Sequence, residues 1–106
     1  MELQNLQTPN NSNLLLKQLN QQELKDDLFQ SLIIAMDRTQ MELLKIEDTS
    51  DFIKDEFSFL TLNEIRKAIR NGSSGKYGRS YKLSTQEICF WIREFIKEKN
   101  HKNLKL

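Results

Sequence analysis

Cysteine and histidine each occur once, as Cys89 and His101. One thiol cannot close an internal disulfide, and one thiol with one imidazole falls short of a structural zinc site. No apolar run approaches the ~20 residues that span a bilayer. The start, Met1-Glu-Leu-Gln-Asn-Leu-Gln, lacks the basic residues and apolar stretch of a signal peptide. Nor does any Ser/His/Asp, Cys/His or supported pair of carboxylates appear in an arrangement that suggests catalysis. Asp48, Asp51, Asp55 and Glu56 read as the acidic first turn and solvent face of a helix, not as a metal set. Cys89 sits between apolar neighbours and reads as an inert buried thiol. The expectation from these absences is a cytoplasmic protein that is not an enzyme. It should need no cofactor, metal or small-molecule substrate and have no membrane partner.

What the chain does have is a division of charge. From Met1 to Ser58 there are eleven acids and five bases, a net of −6; from Phe59 to Leu106 there are four acids and eleven bases, a net of +7. The near-neutral total of +1 hides an acidic half followed by a basic one. Between Glu64 and Glu87 no acid occurs, while Arg66, Lys67, Arg70, Lys76, Arg79 and Lys82 do.

The pattern of apolar residues predicts an all-α fold, a small bundle of about four helices. Residues 1–19 read as a flexible polar arm containing the single proline, Pro9, 20–100 as one helical domain and 101–106 as a basic, fraying tail. Leu14, Leu15, Leu16 and Leu19 form a cluster that either docks on the core or starts a partner-binding helix. Three helix starts share one logic: a capping residue, a Glu three positions on, and apolar residues on both sides. These are Asn20 with Glu23, Thr61 with Glu64, and Ser84 with Glu87, the last two as full capping boxes. The expected helices are 21–45, 50–59, 62–71 and 85–100. The first should turn Leu24, Leu28, Leu32, Ala35, Met36, Thr39 and Leu43 inward, at the spacing of one helical face. The second should bury Phe52, Ile53, Phe57 and Leu60. The third should bury Leu62, Ile65, Ala68 and Ile69 and stop at Gly72, and the fourth should bury Ile88, Trp91, Ile92, Phe95 and Ile96. The expected core joins Leu28, Leu32, Met36, Phe57, Ile65, Ile69, Ile92 and Phe95.

All three glycines fall in one basic connection, Asn71-Gly-Ser-Ser-Gly-Lys-Tyr-Gly-Arg-Ser-Tyr-Lys82. The spacing of Gly72, Gly75 and Gly78 is not a dinucleotide fingerprint, which follows a strand, begins G-x-G and opens a helix at once. It is not a P-loop either, because no G-K-[ST] closes it. Helix, connection and helix resemble a helix-turn-helix only in outline, since this connection is far longer than the usual three or four residues. Glycine turns do present backbone N–H groups to anions, and the next helix adds the positive end of its dipole. Arg66, Lys67, Arg70, Lys76, Arg79 and Lys82 supply positive charge, and Tyr77 and Tyr81 supply rings and hydroxyls. This combination suits contact with a nucleic-acid backbone. A competing reading is a helical adaptor or regulator of another protein, or a self-associating chain, docking through the Leu14–Leu19 cluster and the face around Phe29 and Ile33. A further reading has the two charged halves meeting within one molecule.

The second half carries Phe59-Leu-Thr-Leu-Asn-Glu-Ile65, Gly75-Lys-Tyr-Gly78, Tyr81-Lys-Leu83 and Trp91-Ile-Arg-Glu-Phe95. This run resembles the C-terminal module of short bacterial proteins that recur in phages and mobile elements. There a helix ends in a basic G-[KR]-[YF]-G turn, followed by an aromatic and then a W-[IL]-x-x-aromatic helix. The resemblance covers somewhat under half of the chain, implies no enzymatic activity, and implies company with replication or another DNA transaction.

Overall fold

The computed structural model describes residues 14–104. After a 3-10 turn at Leu16–Gln18, four helices follow: α1 (Gln21–Thr39), α2 (Ile46–Glu56), α3 (Leu62–Ser73) and α4 (Thr85–Leu104). No strand occurs among the described residues, so the fold is all-α. α1 packs on α2 and α3, and α4 packs on α3 and α2, which closes the helices into a ring around one core. Leu24, Leu28, Leu32, Ile53, Ile65, Ile88, Trp91 and Ile92 are all buried at its centre. Met36 and Phe95, expected within the core, lie at its margin.

The N-terminal caps account for where the helices begin. Asn20 Oδ1 accepts from the N–H groups of Gln22 (2.8 Å) and Glu23 (3.3 Å). Thr61 and Glu64 form the full reciprocal box, at 3.1 and 3.0 Å. The Ser84 hydroxyl accepts from Glu87 N–H at 3.2 Å, while the Glu87 carboxylate accepts from the Ser80 hydroxyl.

The C-terminal ends depart from the expected bounds for identifiable reasons. α1 stops at Thr39, not Lys45. The Thr39 hydroxyl turns back onto the Ala35 carbonyl (2.8 Å), and Gln40 takes left-handed backbone angles (φ 57°, ψ 33°). Leu43 then reaches the core by chain reversal, its N–H donating to Met36 Sδ at 3.2 Å. The reversal leaves room for α2 to start at Ile46, with Glu47 and Asp48 in its first turn, where they complement the helix dipole. That register leaves Phe52 exposed, while Thr49 and Ser50 are buried. Thr49 and Thr85 hydroxyls bond at 2.6 Å and tie α2 to α4.

Gly72 does not stop α3. It lies inside the helix, where a Cβ would sit 1.9 Å from Cδ2 of Trp91. Its lack of a side chain is what lets α3 approach the indole. The stop is Gly75, three residues on. Its φ is +91°, Lys76 N–H donates to the Asn71 carbonyl (3.0 Å) and Gly75 N–H to the Gly72 carbonyl (3.1 Å), which is a Schellman ending.

Two terminal expectations also change. Residues 1–13 of the expected arm lie outside the described residues. The rest of it, however, packs on the core. Leu16 and Leu19 are buried, Leu16 N–H donates to the Leu60 carbonyl (2.8 Å), and Leu15 pairs with Thr61 across an antiparallel bridge. Residues 101–104, expected to fray, continue α4, whose last turn carries His101 and Lys102 beside the negative end of its dipole.

Candidate nucleic-acid interface

Every expected interface residue lies on α3 or on the 74–84 connection, and the structure sorts them into two groups. Arg66, Lys76 and Tyr77 are engaged with the protein itself. Arg66 grips Asp27 of α1 with both ends of its guanidinium, Nε to Oδ1 at 2.9 Å and Nη2 to Oδ2. That hydrogen bond holds Arg66 above its ordinary pKa. Tyr77 folds back: its hydroxyl accepts from Asn71 Nδ2 (3.1 Å) and donates to Glu98 Oε1 (3.0 Å). Burial pushes the phenol up; the Asn71 bond opposes that shift and Glu98 adds to it. Lys76 pairs with the other oxygen of Glu98 at 3.3 Å. Glu98 therefore pins the glycine connection to α4.

Lys67, Arg70, Arg79 and Lys82 form the second group. All four are exposed, and none has an acidic partner among the described residues. Lys67 and Arg70 share the solvent crest of α3, opposite Ile65 and Ala68. Tyr81 is 84% exposed, and the Arg79 guanidinium lies 5.5 Å from its ring centroid. Gly78 (φ +108°) and Gly75 both use the left-handed region, with open space where a Cβ would be. Removing side chains here exposes backbone, which is the condition for close approach to a phosphate.

The two charged halves meet in part within the molecule, through Arg66–Asp27 and Arg93–Glu56 (3.8 Å). Glu64 and Lys99 pair between α3 and α4. One cation escaped the sequence reading. Arg38 belongs to the acidic half, yet the last turn of α1 brings it to α3, where its Nη1 donates to the Ser73 hydroxyl at 3.3 Å. Only the same-direction packing of α1 on α3 reveals this, and no local pattern announces it.

Elsewhere the chemistry is sparse. Cys89 is buried, and burial pushes its thiol up, away from the reactive thiolate. No group of three or more His, Cys, Asp or Glu is placed to hold a metal among the described residues. No helix there is long and apolar enough to cross a membrane. Compared with protein-family models, curated proteins and solved structures, the chain matches none.

Proposed function

We propose that this chain is a non-enzymatic accessory protein of phage or mobile-element type that contacts nucleic acid through the crest of α3 and the connection after it. The observation that carries the reading is the set of exposed cations, Lys67, Arg70, Arg79 and Lys82, left without acidic partners in a stretch that contains no acid at all. A face that merely keeps a protein in solution mixes both signs of charge. Of the acids near the stretch, Asp27 is engaged by Arg66 and Glu98 by Lys76, while Glu87 accepts from the Ser80 hydroxyl.

In this reading the exposed groups divide the labour. Lys67, Arg70, Arg79 and Lys82 offer charge to backbone phosphates, a sequence-independent interaction driven by counterion release. Tyr81, with Arg79 against its ring, offers a face on which a base can stack. Tyr77 serves differently from the sequence expectation: clamped to Glu98, it holds the connection in place. Base readout has no evident device here.

The test is fluorescence anisotropy with labelled single- and double-stranded DNA and RNA at ~50 mM salt, comparing the wild type with K67Q/R79Q/K82Q. Micromolar binding that falls at least ~tenfold in the variant supports the reading. Absence of binding by the wild type refutes it.

A second reading, the protein adaptor, is favoured by Ile33 and Ile34, which stand 48% and 40% exposed side by side on α1. The Leu14–Leu19 cluster is not available to it, since Leu16 and Leu19 are buried. If I33S/I34S abolishes co-purification of a partner protein while K67Q/R79Q/K82Q does not, the adaptor reading replaces the first.

A further inference from the structure

α1 and α3 run side by side in the same direction, so Asp27 meets Arg66 near one end and Arg38 meets Ser73 near the other. Between them lies a groove of about 250 Å³, with Ile34 and Ile69 as apolar lining and Arg38, Arg66 and Arg70 at its edges. Asp27 is its one acid, and that carboxylate is already gripped by Arg66. The groove therefore presents two guanidiniums, Arg38 and Arg70, that have no acidic partner among the described residues.

The placement of Arg38 is supported from behind. Ser73 accepts from Arg38 Nη1 and donates its own hydroxyl to the Arg70 carbonyl at 3.1 Å. One guanidinium N–H is thus used to orient Arg38, and the remaining donors of its fork are available. Ser31 and Gln30 line the same groove and add polar groups. Ile34 and Ile69 form an apolar wall beside the charges. Paired guanidiniums over such a wall match the oxygens of a phosphate group better than they match any neutral ligand.

We propose that this groove is a phosphate-binding site, with Arg38 and Arg70 clamping the anion between α1 and α3. The site shares Arg70 with the proposed nucleic-acid interface but uses none of Lys67, Arg79 and Lys82, so substituting Arg38 tests it separately from that interface. The phosphate comes either from a nucleic-acid backbone or from a free phosphorylated small molecule. The chemistry recognised is the same.

The test is an NMR titration at low salt that follows the Nε–Hε resonances of Arg38 and Arg70, first with inorganic pyrophosphate and then with an oligonucleotide. The expected result is a saturable shift of both resonances with at least one probe. In R38Q the affinity for that probe should fall about tenfold, with the backbone spectrum unchanged away from the groove. R38K, which keeps the charge and loses the fork, should fall between. If the oligonucleotide moves both resonances, the source is a backbone phosphate; if pyrophosphate alone does, it is a small molecule. Failure of both probes to move Arg38 and Arg70, or affinities that R38Q leaves unchanged, would overturn the proposal.

Discussion

Gly72 and Gly75 look alike in the sequence and do opposite work. At Gly72 the constraint is space, because the indole of Trp91 occupies the volume a Cβ would need. At Gly75 the constraint is conformation, because nothing lies within 4 Å but the backbone is left-handed. Gly72→Ala should therefore cost ~3 kcal/mol or more, since α3 must back away from a buried side chain. Gly75→Ala should cost only ~1 kcal/mol, the penalty of placing an L side chain at positive φ. Urea unfolding followed by the fluorescence of Trp91, the one tryptophan in the chain, measures both. Equal losses at the two positions would contradict this assignment. A glycine spacing could not separate the roles in advance, because the indole reaches Gly72 from a helix whose docking is a tertiary fact.

Among the elements, helix starts were far more legible than helix ends. Asn20 and Thr61 cap as their local spacing suggests, because a cap is a contact over two or three residues, whereas Ser84 makes half of its expected box and Glu87 turns to Ser80. Ends respond to what the chain must reach next, as at Gln40, where a reversal delivers Leu43 to the core. The Leu14–Leu19 segment shows the same limit. Its apolar residues were evident, but only the carbonyls of Ser58 and Leu60 reveal where they dock. Leu16→Ala should cost ~2–5 kcal/mol, the range for a buried leucine, by loss of the Trp91-monitored midpoint; a change below ~1 kcal/mol would mean the strap does not hold the core. Glu64 gives the α3 start a dependence on pH. Burial alone would raise its pKa, but the bond from Lys99 and the Thr61 N–H outweigh burial and hold the carboxyl below its ordinary range. A depressed carboxyl stabilises the fold above the unfolded-state pKa of ~4.3, and that contribution is lost as pH falls through the lower folded value. Glu64→Gln keeps the cap and removes the charge, so it should destabilise by ~0.5–1 kcal/mol at neutral pH. The difference from wild type should vanish as the pH drops well below 4.3. An equal difference at both pH values would assign the effect to packing.

For the molecule as a whole, the division of charge in the sequence marks a stretch that keeps four exposed cations, while three other residues expected at the interface are engaged with the protein itself. Of the residues first singled out, Arg66, Lys76 and Tyr77 are held by partners distant in the chain, Asp27 and Glu98, which no local reading could supply. Arg38 was hidden for the converse reason: its own half of the chain is acidic, and the fold carries it to the basic side. Lys67, Arg70, Arg79, Tyr81 and Lys82 remain exposed, and the proposal that they contact nucleic acid makes a quantitative claim about salt. If Lys67, Arg70, Arg79 and Lys82 each neutralise one phosphate, the logarithm of the binding constant for duplex DNA should fall with the logarithm of salt at a slope of about −3.6. Measuring that slope from ~50 to 200 mM salt for the wild type and for K67Q/R79Q/K82Q is the most direct test. The expected result is a slope near −3.6 that flattens to about −1 in the variant; a slope near zero, or one the substitutions leave unchanged, would contradict a phosphate-backbone interface on α3 and its following connection.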